Sequence, residues 1–173
     1  MILGLGNIAW KFGRDQKSHS SFSHRDALDQ CEQTMLVGGY APSNREVADF
    51  SNATGVKGYT DLAQMLEVEQ PDLVSICSPE AVHAAQLKIC LDHKISMVWL
   101  EKPAATLVSD VVKLEEARTA MASHSRVLVN FQRRYVEAYQ KMAQLIVTEE
   151  LGKPLVVEVH YSRGLVINGA HMV

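Results

Sequence analysis

The 173-residue sequence predicts an α/β fold: a doubly wound parallel sheet, followed by the first strand and helix start of a truncated α+β domain. Three observations carry that expectation. Apolar runs of strand length recur with helix-patterned stretches between them. A glycine-rich turn follows the first apolar run. Beyond Gly152-Lys153-Pro154 the pattern changes to alternation. Runs that are apolar on both faces suit strands covered by helices on both sides, and alternating β and α units with short connections wind into a parallel sheet.

Met1-Ile2-Leu3 reads as a short first strand, and Gly4-Leu5-Gly6-Asn7-Ile8-Ala9 as the turn into a helix. Residues 13–26 are polar and serine-rich, so the first crossover is expected to carry a long loop. Met35-Leu36-Val37 leads into Gly38-Gly39-Tyr40 as the next strand, with a helix over 44–52 and another over 61–66. The turn residues Pro71-Asp72 introduce a strand over 73–77, then come a helix over 81–91 and a strand over 96–100. The helix expected over 106–121 has a cap candidate in Thr106, an acid in its first turn at Asp110, and apolar residues at 107, 108, 111, 112, 114, 117 and 121. A strand over 126–130 follows. Leu155, Val157, Val159 and Tyr161 alternate with Val156, Glu158, His160 and Ser162, as in a half-solvated antiparallel strand. Such a strand is poorly stable alone, so a second domain is expected to begin near 154 and to be cut short by the end of the chain.

Composition excludes several classes. Seventeen Lys+Arg against 20 Asp+Glu give a net charge of −3, which offers no electrostatic drive toward nucleic acid. No apolar stretch approaches the roughly 18–20 residues that span a bilayer, and the N-terminus lacks the basic start of a signal peptide. The cysteines, Cys31, Cys77 and Cys90, are odd in number, widely spaced and in apolar company, as buried thiols of a reducing compartment would be. No H-x-x-x-H or C-x-x-C pair occurs, and His19, His24, His93, His124 and His160 show no ligand spacing, so no metal site is expected. A soluble, cytoplasmic protein is expected.

Gly4 to Ala9 fits G-x-G-x-x-G/A in the context that gives the motif meaning, after an apolar start and before a helix. The first glycine permits a tight turn and the second lets backbone approach a pyrophosphate. The small third residue allows close packing. Gly4, Gly6, Asn7, Ile8 and Ala9 are therefore candidate dinucleotide contacts. The ribose reader belongs at the end of the second strand, where an acid would select NAD. Ala41-Pro42-Ser43-Asn44-Arg45 holds no acid. Ser43 and Arg45 would suit a 2′-phosphate, with Ala41 beside the ribose; alternatively, Arg45 is a solvated residue in a surface helix. The cofactor is thus NADP or NAD, leaning to NADP.

Ser78-Pro79-Glu80-Ala81-Val82-His83 follows the strand over 73–77, Glu101-Lys102-Pro103 ends the strand over 96–100, Asn130-Phe131-Gln132-Arg133-Arg134-Tyr135 comes at the end of the strand over 126–130, and Gly169-Ala170-His171 lies near the C-terminus. Together with the glycine turn they resemble the Gfo/Idh/MocA (glucose–fructose oxidoreductase and inositol dehydrogenase) family, and the resemblance covers essentially the whole chain. It implies an N-terminal NAD(P)-binding Rossmann domain over 1–130. Residues 131–173 would be a linker helix and the beginning of an incomplete C-terminal α+β domain for substrate and oligomerisation. It further implies an NAD(P)-dependent oxidoreductase transferring hydride to or from a hydroxyl or ketone of a sugar, cyclitol or nucleotide sugar, and a homo-oligomer when full length. Lys102 would contact the nicotinamide ribose and the reacting hydroxyl, and His171 would take the hydroxyl proton. Set at a strand end before proline in an apolar stretch, the Lys102 ammonium is expected to be partly desolvated. The resemblance places Ser78, Pro79, His83 and Glu101 with the cofactor, although His83 also reads as a cap or packing residue. Arg134 is a candidate grip for a substrate carboxylate or phosphate, or else part of a solvated helix start. Ile167 stands where family members usually carry Asp, and Asn168 beside it is a neutral substitute for substrate binding. That departure keeps two alternatives open: a non-catalytic binder of cofactor or sugar, and an inactive fragment of the enzyme.

Overall fold

The computed structural model describes residues 1–12, 23–121, 124–150, 152–154, 156 and 158. The chain divides into two compact units, Met1–Phe131 and Gln132–Val173. In the first, six parallel strands form one sheet: β1 (Ile2–Leu3), β2 (Gly39–Tyr40), β3 (Gly58–Tyr59), β4 (Leu73–Ile76), β5 (Met97–Leu100) and β6 (Arg126–Val129), in the order β3-β2-β1-β4-β5-β6. The helices are α1 (His24–Gln30), α2 (Asn44–Thr54), α3 (Leu62–Glu69), α4 (His83–Asp92) and α5 (Val108–Met121).

The two residues of β1 show why the sheet needs cover on both faces. Successive strand residues point to opposite sides, and both are fully buried. Leu3 joins a core with Met65 and Leu66 of α3 and Leu87, Cys90 and Leu91 of α4. Ile2 joins a second core with Leu28 of α1, Phe50 of α2, and Trp10. Trp10 meets Phe50 edge-on at 5.6 Å between ring centroids, the arrangement aromatic quadrupoles favour.

Local chemistry sets the helix ends. Ser43 caps α2 by accepting Glu46 N–H, and Gly55, at φ 72°, closes it in the left-handed conformation that glycine adopts without penalty. Asp61 caps α3 through Gln64 N–H. Ser23 and Asp26 form a reciprocal capping box at α1.

Several expectations are corrected. The stretch read as loop to residue 26 holds the start of α1, because the Ser23–Asp26 box nucleates a helix there; residues 13–22 lie outside the described residues. The helix expected directly after the glycine turn is a five-residue π-type turn, Asn7–Lys11. Met35 is 81% exposed and precedes β2, which is confined to Gly39–Tyr40. The third strand, Gly58–Tyr59, is too short to register as an apolar run. Helix α5 begins at Val108, two residues beyond Thr106. Strand β6 is an edge, so Leu128 is 46% exposed and not covered on both faces. Cys31 is exposed, as it follows the last turn of α1 at the surface.

The second unit contains a 3-10 turn (Gln132–Tyr135) and helix α6 (Glu137–Val147). Most of the alternating stretch expected as a strand after 154 lies outside the described residues. Among the described residues no helix is long and apolar enough to cross a membrane.

Candidate functional site

In the first unit the candidate residues follow the carboxyl ends of strands. Gly4 comes after β1, Ala41 after β2, Ser78 after β4, and Glu101 and Lys102 after β5. The ladder runs on by one residue at each end: Gly4 N–H donates to Tyr40 O (2.8 Å), Cys77 N–H to Leu3 O (2.7 Å), Glu101 N–H to Ile76 O (2.9 Å) and Asn130 N–H to Leu100 O (2.7 Å). These bonds fix where each loop starts. Winding reverses between β1 and β4, and in open α/β sheets that switch is where a crevice opens for a ligand.

The two glycines of the turn differ in what they permit. Gly4 has φ +81°, and a Cβ there would overlap the Ser78 backbone, so the chain's own packing demands glycine. Gly6 has φ −85°, which any residue adopts. A Cβ on Gly6 would meet no described atom within 4 Å. Gly6 therefore leaves this side of the turn bare, as close approach of a pyrophosphate to backbone would require. The first N–H groups of the Asn7–Lys11 turn lie next in sequence, and such groups have no partner within their own turn. Ala9 and Trp10 anchor the turn in the core, and Trp10 Nε1–H donates to Leu5 O at 2.8 Å. Asn7 is exposed and Ile8 half-buried. The residues present fit a dinucleotide phosphate.

At the end of β2, Ala41 is buried and its N–H donates to Tyr59 O. Ser43 Oγ is engaged with Glu46 N–H at 3.4 Å, and Arg45 is exposed in the first turn of α2. After β4, the Ser78 hydroxyl donates to Gln86 Oε1, and Pro79 is exposed. His83, expected with the cofactor, is 1% exposed and turned inward. Its Nδ1 lies 2.7 Å from Pro103 O and its Nε2 2.8 Å from Ser78 O. It clasps the loops after β4 and β5, its cap-or-packing reading.

Glu101, also expected against the cofactor, turns its carboxylate inward. Oε1 accepts from His24 Nε2 (2.9 Å) and from Asn130 Nδ2, and Oε2 accepts from Lys102 N–H (3.3 Å). His24 Nδ1 lies 2.6 Å from Ser75 Oγ, which is 3.4 Å from Cys77 Sγ. With the carboxylate as acceptor, Nε2 carries the His24 proton and the Ser75 hydroxyl donates to Nδ1. The imidazole stacks on Trp99 at 3.9 Å. Burial pushes the Glu101 carboxyl up, but the hydrogen bonds from His24, from Asn130 and from the Lys102 amide outweigh it and hold it below the ordinary value. Burial pushes the neighbouring Cys77 thiol up to about 12, so it is no nucleophile at neutral pH. Lys102 itself is exposed, not partly desolvated as expected, because it lies two residues past the end of β5.

Arg134 is exposed in the 3-10 turn of the second unit; His171 and Asn168 lie outside the described residues. His24, Ser75 and Asn130 were not singled out from sequence as site residues. The signals available were the S-H-R-D cap around His24 and a lone serine inside the apolar β4 run.

A family model described as "Oxidoreductase family, NAD-binding Rossmann fold" matches residues 1–131. The chain is 31% identical over 116 residues to inositol 2-dehydrogenase 2 of Mycolicibacterium vanbaalenii, covering 66% of this chain and 33% of that protein. It is 27% identical over 167 residues to glucose-6-phosphate 3-dehydrogenase of Bacillus subtilis, covering 94% of this chain and 41% of the relative. Thus it spans between a third and about two-fifths of these relatives' length. Among solved structures, the WlbA dehydrogenase of Chromobacterium violaceum in complex with NADH and UDP-GlcNAcA superposes with a TM-score of 0.73 at 22% identity, over 87% of this chain and 40% of that one. Myo-inositol 2-dehydrogenase of Lactobacillus plantarum gives 0.72 at 20% identity, over 88% and 41%. At those identities the structural likeness speaks for the fold.

Proposed function

The chain belongs to the Gfo/Idh/MocA oxidoreductase family, whose NAD-binding Rossmann-fold model matches residues 1–131, and from that premise we propose that it is the nucleotide-binding portion of a dehydrogenase acting on a hydroxyl or ketone of a sugar, cyclitol or nucleotide sugar. One observation carries this reading: the bare outer side of Gly6, with Gly4 seated on Ser78 and Lys102 following the next strand, all at one carboxyl edge beside the sheet's switch point. The nicotinamide, when bound, supplies the hydride chemistry. The chain's part is to hold and to move a proton. Gly4, Gly6 and the start of the Asn7–Lys11 turn present backbone to the pyrophosphate, while Ser78 and Pro79 line the same crevice. Lys102, exposed at the strand end, is the residue we assign to the reacting oxygen; the family resemblance assigns the hydroxyl proton to His171 and substrate binding to Arg134 and Asn168. The absence of an acid over 41–45, with Ser43 and Arg45 at the start of α2, supports NADP over NAD.

Calorimetric titration of the complete polypeptide with NADPH and NADH tests this. Micromolar binding is expected, tighter for NADPH. Gly6→Val should melt near the wild-type temperature, since a Cβ at this position meets no described atom within 4 Å, and should bind at least about tenfold more weakly, a change of roughly 1.4 kcal/mol. Tight binding to Gly6→Val would remove the pyrophosphate from this turn. A preference for NADH would overturn the roles of Ser43 and Arg45.

A further inference from the structure

Two buried histidines flank an exposed lysine, one through the carboxylate that precedes it and one through the carbonyl that follows it. Upstream, Lys102 N–H is bound by Glu101 Oε2, while Glu101 Oε1 is held by His24 from α1 and Asn130 from the end of β6. Downstream, the carbonyl of Pro103 is bound by His83 Nδ1. His24 is 2% exposed, Asn130 7% and Glu101 8%. A buried carboxylate is costly and is weak evidence for stability, because an apolar side chain of similar size often serves as well. What an apolar replacement cannot supply is direction. This carboxylate meets donors from two distant elements on one oxygen and spends the other on the amide of the residue that follows it.

We infer that His24 and Asn130, acting through the Glu101 carboxylate, are positioning residues for Lys102: they fix the backbone from which its ammonium reaches the dinucleotide and the reacting oxygen. The inference rests on the function proposed above for Lys102, and neither residue touches the ligand itself. His24 Nε2–H and Asn130 Nδ2–H keep the carboxylate from rotating, Oε2 stays on the Lys102 amide, and the lysine leaves the sheet in one direction. The Ser75 hydroxyl on Nδ1 keeps the His24 proton on the nitrogen facing Glu101.

Two measurements on the complete polypeptide decide it, with His24→Ala, the conservative His24→Gln, Lys102→Ala and the double variant His24→Ala/Lys102→Ala. The first is amide hydrogen exchange by NMR without ligand. His24→Ala should speed exchange of the Lys102 amide by about tenfold or more and leave the Val98 and Leu100 amides within about twofold, because local and global openings are separable. His24→Gln should restore protection. Uniform acceleration across β4, β5 and β6 would make His24 a stability residue and overturn the inference. The second is NADH affinity by fluorescence titration. His24→Ala should weaken binding about three- to tenfold, and the double variant should be no weaker than Lys102→Ala alone, since effects passing through one residue do not add. Multiplying losses would overturn it. If Lys102→Ala binds NADH as the wild type does, the function proposed for Lys102 fails, and the exchange result alone decides the positioning role.

Discussion

Glu101 is a carboxylate kept charged inside a protein, and that has a consequence in acid. Its folded value lies below the usual 4.5. A group depressed on folding contributes stability that is fully present above its unfolded value and is lost as pH falls through the folded one. Urea unfolding of the wild type and of Glu101→Gln between pH 6 and 3.5 should therefore show a gap that is widest near pH 6 and narrows on acidification below about 4.5. A gap constant across that range would mean that the hydrogen bonds, and not the charge, are what His24 and Asn130 stabilise. This residue also marks the limit of what the sequence discloses. Glu101-Lys102-Pro103 stands out as a motif, yet the partners that turn its acid inward lie 77 and 29 residues away. No local spacing connects them; only the strand order brings α1 and the end of β6 to the end of β5.

At the scale of elements, helices α2 to α5 were legible because their apolar positions repeat at helical spacing, and their ends moved by only a few residues. Helix α1 was not, because its seven residues follow a serine-rich stretch whose polarity reads as loop. The Ser23-His24-Arg25-Asp26 box was the signal in view, since a serine followed three residues later by an acid satisfies two otherwise orphaned N–H groups. The box also sets His24 at the first helical position, facing Ser75 and Glu101. Ser23→Ala should cost about 1 kcal/mol in denaturant unfolding, and amide exchange should rise first in α1. Equal acceleration throughout the first unit would show that α1 has no local opening of its own. The same length argument explains why β3 was missed: a two-residue strand carries no periodicity, and its identity depends on the neighbour that pairs with it.

The whole first unit is one sheet between two apolar layers, and its thiols report on each layer separately. Cys90 belongs to the layer with α3 and α4, Cys77 to the layer with α1 and α2, and Cys31 is at the surface. That distribution was only half readable: apolar company predicts burial for all three, but Cys31 follows the last turn of α1, a helix the sequence did not disclose. Burial raises both interior thiols to about 12. A disulfide-forming thiol reagent at pH 8 should therefore modify one cysteine at once, and the other two only when the sheet is uncovered. If both layers open together as one cooperative unit, Cys77 and Cys90 should react with a single rate that rises with urea as global unfolding does. Faster reaction of Cys77 alone would locate a separate opening in the α1–α2 layer, next to the glycine turn. Above pH 9 the unfolded chain loses these thiol protons while the folded one keeps them to about 12. Stability should accordingly fall as pH rises through that window, and a Cys77→Ala/Cys90→Ala variant should show a shallower alkaline decline than the wild type.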